Sequence, residues 1–144
     1  MQKKTVTIIA IVIAAGAALF LLLQLVPGPG MTNPPVTGEP PWDSPETRAL
    51  AKRACYDCHS NESAWPWYAA VAPMKWLVIH DVEEARSVFN FSEWESGSID
   101  GQVLAEAVSS EAMPLPQYLL LHPEARLSAQ EKQRLMDGFT ATFK

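Results

Sequence analysis

With 144 residues and 15.9 kDa, the chain has room for one modest domain plus appendages, and none for an enzyme with separate nucleotide and substrate lobes. Apolar residues make up 48% and charged residues 19% of it, which excludes a disordered charged tail, and a pI near 5.1 argues against nucleic acid as a partner. Lys3 and Lys4 are the only charges in residues 1–30, so the remainder sets 9 basic side chains (11 less those two) against 16 acidic ones, a formal charge of −7.

From Thr5 to Val26 no residue is charged. As a helix these 22 residues are about 33 Å long, enough to cross a bilayer core. Two lysines precede the segment and no basic residue follows before Arg48, which assigns residues 1–4 to the cytoplasm and everything after Pro27 to the far side. The competing reading is a cleaved signal peptide. A signal's apolar region is shorter, about 7–15 residues, and ends at an Ala-x-Ala-like site; nothing of that kind stands before Pro27, and no cysteine lies there to take a lipid. The expectation is an uncleaved single-pass anchor over 5–26 in the inner membrane, with the folded domain in the periplasm or outside the cell.

Residues 27–45 hold seven of the 12 prolines. Proline fixes φ and withholds a donor, so the stretch reads as a semi-extended linker. Trp42 is the exception, a large ring expected to dock on the folded body or lie at a bilayer interface.

The folded part is expected over 46–144. Ser44 as cap, Pro45 in the first turn and Glu46 at the positive end of the dipole predict a helix over 45–58, with Leu50, Ala54 and Cys58 at helical spacing. Residues 60–73 read as a packed loop or short helical turn. Further helices are predicted over 74–89, with Val78, Val82, Ala85 and Phe89 on one face, and over 100–109, with Val103, Leu104, Ala107 and Val108. The last begins at the capping box Ser128–Glu131 and carries Leu135, Met136 and Phe139. No segment alternates with period two and no Asn-Gly hairpin signal occurs, so the fold class is all-α: a small helical domain behind one N-terminal transmembrane helix. About 100 residues in short helices bury little apolar surface, and an internal prosthetic group would add its own.

The only two cysteines stand in Cys55-Tyr56-Asp57-Cys58-His59, the C-x-x-C-H arrangement of covalent haem attachment. Two thiols three positions apart lie on neighbouring parts of one helical turn, so each can add to a different vinyl group. The next residue, His59, can then bring an imidazole to the iron from the same side. Rival readings fit less well. A thioredoxin-like redox pair needs a βαβ setting, a zinc site needs a second ligand pair, and a disulfide across two residues would be strained and leave His59 unexplained. The cofactor expected is one covalently bound haem c.

For the sixth iron ligand Met113 leads. It offers a soft thioether, lies 54 residues after His59 and sits in Met113-Pro114-Leu115-Pro116 between two predicted helices, where the prolines stiffen the loop. His80 on the second predicted helix is the alternative. Met74 and Met136 read more simply as packing residues, and His122 as a surface group. Trp65, Trp67, Tyr68, Trp76, Phe89, Phe91 and Trp94 read as core. The run Asp81, Glu83, Glu84 reads as a solvated face, or more sharply as a docking patch for a basic redox partner.

Met113-Pro114 followed by Leu127-Ser128, Glu131 and Leu135 resembles the C-terminal half of class I cytochromes c. Asn33-Pro34-Pro35-Val36-Thr37, the run from Cys55 to Asn61, Pro66-Trp67-Tyr68, Ala72-Pro73, Asn90-Phe91-Ser92-Glu93-Trp94 and Met113-Pro114-Leu115 are together similar to a family of bacterial membrane-anchored haem-binding domain proteins, monohaem and cytochrome c-like. The resemblance covers roughly residues 33–140. It implies a cytochrome c-like domain with Cys55 and Cys58 as attachment points, His59 as proximal ligand and Met113 as distal ligand, and it says little about partners.

The function expected from these residues is that of an electron carrier and not an enzyme: a membrane-tethered monohaem cytochrome c passing single electrons to redox partner proteins, with no nucleic acid involved. The alternatives are a small peroxidase or gas and redox sensor with an open sixth position, for which His80 is the candidate distal base, and a structural haem subunit of a larger membrane complex.

Overall fold

An uncharged apolar run offers nothing to interrupt a helix, and α1 extends over Gln2–Gln24. The computed structural model describes residues 2–95 and 99–144. Among the described residues the remaining helices are α2 Pro45–Ala54, α3 Tyr56–His59, α4 Met74–Val88, α5 Gly101–Ser109, α6 Pro116–Leu121 and α7 Ala129–Thr142, with 3₁₀ turns at Trp67–Ala70 and Pro123–Ala125. No strand occurs among them, only an isolated parallel bridge between Gly38 and Glu93. The fold is all-α, as the missing period-two pattern requires.

The chain divides into two units, Met1–Met31 with Trp65–His80, and Thr32–Ala64 with Asp81–Lys144. In the first, the stretch Lys3–Gln24 is long and apolar enough to cross a membrane, and none of it is buried. Its last turn is tied to the Trp65–His80 segment. The Ala72 N–H donates to Gln24 Oε1 at 2.9 Å, and Gln24 Nε2 donates back to the Ala72 carbonyl at 3.2 Å. Lys75 Nζ donates to the Val26 carbonyl at 2.7 Å. Gly28 admits the Trp76 ring, whose Nε1 lies 2.9 Å from where a Cβ would stand.

In the second unit, Ser44 Oγ accepts from the Thr47 N–H at 3.1 Å and starts α2, which buries Thr47, Leu50, Ala51 and Ala54. The helix expected to reach residue 58 instead breaks at Cys55 (φ −127°, ψ −29°). The Cys55 N–H closes α2 on Ala51 O at 2.8 Å, and its carbonyl opens α3 by accepting from Cys58 and His59 at 3.2 and 2.9 Å. The reason is burial. In a straight helix Tyr56 would lie about 200° round from the buried Ala54, facing water; the break turns both Tyr56 and His59 inward.

Helix α5 packs on α7, and α2 on α7 as well. Asp100 caps α5 by accepting from Gln102 N–H at 2.7 Å. The capping box of α7 is complete, Ser128 N–H to Glu131 Oε2 at 2.8 Å and Glu131 N–H to Ser128 Oγ at 3.3 Å. The helices approach closely at glycines: a Cβ on Gly101 would collide with the Phe139 and Phe143 carbonyls, and one on Gly138 with the Thr47 side chain. Between these helices Leu50, Tyr56, Leu104, Val108, Leu135, Phe139 and Phe143 bury around Phe91. The Phe91 ring lies 5.3 Å from Tyr56 and from Trp42, and 5.0 Å from Phe89.

Trp42 thus docks on the folded body. Residues 32–45 are extended, as their prolines require, yet they run along the helical body. Thr37 and Gly38 N–H donate to Ser92 O at 2.8 and 3.1 Å, and Glu39 Oε1 accepts from Arg48 and from the Tyr56 hydroxyl. Helix α6 falls where the sequence pattern gives no helix; it has no side-chain cap and buries no residue, so it leaves no periodic trace.

Candidate functional site

A cavity of about 460 Å³ lies wholly within the second unit, in the volume range of roughly 300–1,000 Å³ typical of ligand pockets. Cys55, Cys58 and His59 line it, together with the last turns of α4, one face of α5, and the stretch Met113–Leu115 with Tyr118. Its walls are mainly apolar side chains. Val88, Val103 and Met113 are exposed at 65%, 54% and 38%, and all three face this cavity, which explains why Val103 belongs to the apolar stripe of α5 without joining the buried core.

His59 is buried. Its Nδ1 lies 3.1 Å from Ala85 O and 3.3 Å from Phe89 O. Carbonyls only accept, so Nδ1 carries the proton and Nε2 keeps a free lone pair, the arrangement that fixes an imidazole as a metal ligand. The ring stacks on Phe89 at 4.0 Å and 6°. Burial lowers its pKa, against a smaller opposing pull from the two carbonyls, and keeps the ring neutral. Burial likewise pushes the Cys55 thiol up to about 12 and the Cys58 thiol up to about 11. Both cysteines are free thiols.

Met113 reaches the cavity because the chain reverses after α5. Glu111 takes a left-handed conformation (φ 59°), its N–H closes on Val108 O at 3.2 Å, and the Met113 N–H donates to Ala107 O at 3.0 Å. The other sixth-ligand candidates are elsewhere. His80 is exposed on α4, Met74 is exposed at its start, and Met136 is half-buried against the core. His122 stacks on Tyr118 at 4.1 Å and pairs with Glu124 at 3.0 Å. None of the four lines the cavity. Asp81 and Glu84, read from the sequence as part of a solvated or docking face, do contribute to its wall, whereas Glu83 is exposed.

The donor set is therefore two thiols, one neutral imidazole and one thioether in an apolar chamber, which fits an iron porphyrin. Among the described residues no group of three or more His, Cys, Asp or Glu is placed to hold a bare metal ion.

A family model described as haem-binding domain matches residues 18–141. The chain belongs to the haem-binding domain family. No curated protein and no solved structure matches it significantly.

Several short motifs of this haem-binding domain, far apart in sequence, meet just beyond His59. Asn61 Nδ2 donates to Pro35 O at 3.0 Å and to Glu93 Oε1 at 2.8 Å, while its Oδ1 accepts from Asn90 Nδ2 at 2.8 Å. The Asn61 N–H donates to Ser92 Oγ at 2.9 Å, and the Phe91 N–H to His59 O at 2.8 Å. Arg86 on α4 is a second organiser. Its guanidinium donates to Ser60 O, Thr32 O, Asn33 Oδ1 and Ser63 Oγ at 2.8–3.2 Å. Tyr118, which the sequence did not single out, donates to Asp57 Oδ2 from α6. These roles depend on partners 23 to 61 residues away, which periodicity does not register.

Proposed function

We propose that this haem-binding domain is a monohaem c-type cytochrome that carries single electrons, tethered by α1 to the bacterial inner membrane with the haem on the periplasmic side. The observation that carries the reading is the convergence of Cys55, Cys58, His59 and Met113 on one apolar cavity.

In this reading Cys55 and Cys58 would hold the haem through thioether links, and His59, through Nε2, and Met113 would be its iron ligands. When bound, the haem supplies a one-electron ferric/ferrous couple. The protein's own part is positional. His59 Nδ1, held by Ala85 and Phe89 carbonyls, orients the imidazole. The Ala107 carbonyl anchors the Met113 backbone. The apolar walls exclude water, which with a thioether ligand favours the ferrous state and a raised potential. A carrier is favoured over a peroxidase or sensor because, among the described residues, no second histidine lines the cavity to serve as distal base. The acidic surface supports a basic redox partner through long-range attraction. Lys3 and Lys4 before the apolar run support export of the domain.

The test is the full chain matured with haem. Acid–acetone extraction should leave the pigment on the protein. The oxidised spectrum should show a sulfur-to-iron charge-transfer band that Met113→Ala abolishes. Pigment extracted freely would sink the c-type assignment, and a high-spin oxidised wild type would favour the open-site enzyme.

A further inference from the structure

The charges of this chain are sorted between its two units. All 16 acidic residues belong to the second, which with 8 of the 11 basic residues carries a formal −8; the first has no acid and three lysines, Lys3, Lys4 and Lys75, a formal +3. The acid-free unit also collects exposed apolar surface outside α1. In Trp65–His80, Trp67 is 79% exposed, the highest of any aromatic ring among the described residues, with Leu77 at 49% and Met74 at 36%; Met31 of the same unit is at 43%. Four aromatic residues, Trp65, Trp67, Tyr68 and Trp76, fall within these sixteen positions.

This surface has a fixed place along α1. Gln24 is the first polar side chain after the long apolar run, so a helix spanning a bilayer would reach the headgroup level near it. The Gln24 carboxamide is bonded both ways to Ala72, and the Val26 carbonyl to Lys75. The segment is thereby fastened to the boundary turn itself. Tryptophan, with an apolar body and one polar N–H, and lysine, with an apolar stem and a charged head, are the residues that sit best at that depth.

We propose that residues 65–80 form an interfacial membrane-binding element, with Trp67 and Leu77 immersed at the lipid headgroup boundary of the leaflet where α1 emerges. The occupant is lipid, and the unit's lack of acidic side chains leaves nothing to be repelled by anionic headgroups. The proposal rests on the reading of α1 as a retained anchor, and the test separates the two.

The haem-loaded full chain is reconstituted in vesicles of phosphatidylcholine and phosphatidylglycerol. A photoreactive p-benzoylphenylalanine replaces Phe20, Trp67 or Leu120 one at a time, and lipid adducts are counted by mass spectrometry. Leu120, 74% exposed in the acidic unit, is the control for mere apolar exposure. Leu77→p-benzoylphenylalanine takes the place of the Trp67 variant if the latter fails to load haem. The expected result is a lipid-adduct yield at 67 within about threefold of that at 20 and at least about tenfold above that at 120. Adducts at 20 without adducts at 67 and 77 overturn the proposal while leaving the anchor intact. Equal yields at 67 and 120 overturn it as well, by removing any selective face. No adduct at 20 removes the anchor reading and the proposal with it.

Discussion

The Tyr118 hydroxyl donates to Asp57 Oδ2 at 2.7 Å, joining α6 to the turn between the two cysteines. The other Asp57 oxygen accepts from Ala64 N–H at 2.9 Å. Because α6 buries no residue, this bond is a principal tie between the Met113 segment and the attachment turn. A hydrogen bond to a charged group contributes roughly 1.5–3 kcal/mol, and solvent access reduces that here. Tyr118→Phe should lower the unfolding free energy by about 1–2 kcal/mol, whereas Asp57→Asn, which keeps an acceptor oxygen, should lower it less. Urea unfolding followed by circular dichroism measures both, and an equal loss in the two variants would show that charge matters rather than the bond.

Gly101 is a site of enforced smallness. Its missing Cβ is what lets α5 lie against the Phe139 and Phe143 carbonyls, and its own N–H donates to Phe143 O at 3.1 Å. Backbone cannot swing aside as a flexible side chain can. Gly101→Ala should therefore destabilise the domain by about 1–3 kcal/mol, the cost of overpacking, despite the better helix propensity of alanine. An unchanged melting temperature would refute the contact.

Acid should act partly through Glu131. Bonds from the Ser128 backbone N–H, then from Arg53, hold its carboxyl at about 2, below the ordinary 4.5. A group depressed on folding contributes stability that is complete above its unfolded value and lost as pH falls through its folded one. The loss from this residue thus falls between pH 4.5 and about 2. Glu131→Gln should flatten the melting-temperature profile across that window, and curves that stay parallel there would dismiss the effect.

The two sixth-ligand candidates separate cleanly in a ligand-binding assay. Met113 lines the cavity and His80 does not. Met113→Ala should let carbon monoxide bind the ferrous protein readily, and His80→Ala should leave both carbon monoxide affinity and the oxidised spectrum as in the wild type. A spectral change in His80→Ala would reopen the assignment.

Legibility in the sequence followed the range of the interaction. Caps are written within three or four residues, so the starts of α2 and α7 at Ser44 and Ser128 could be read directly, whereas the Asp100 cap of α5 went unread although the helix itself was placed over 100–109; the absence of strands among the described residues was legible too. The break at Cys55 could not be read, because it answers to the burial of Tyr56 in the core around Phe91 and of His59 against Ala85 and Phe89. Helix α6 buries nothing and so leaves no pattern. The cysteine–histidine spacing marked three cavity residues, and the loop between helices marked Met113. Asn61 stood in one of the motifs that carry the resemblance, but its bonding role, like those of Arg86 and Tyr118, went unread because the partners are distant in sequence. The grouping of residues 65–80 with α1 was hidden for the same reason, since it turns on Gln24 and Ala72, 48 positions apart.

That pairing bears on what the loss of α1 would do to the chain. Ala72 is wholly buried, and both its amide and its carbonyl end on one side chain of the leader. Cleavage before Pro27 would strip away Gln24, the side chain that among the described residues answers both of those groups, leaving the tryptophan-bearing loop to find water or a new companion. Retention of Gln24 and the conformation of the loop are thus coupled in this architecture.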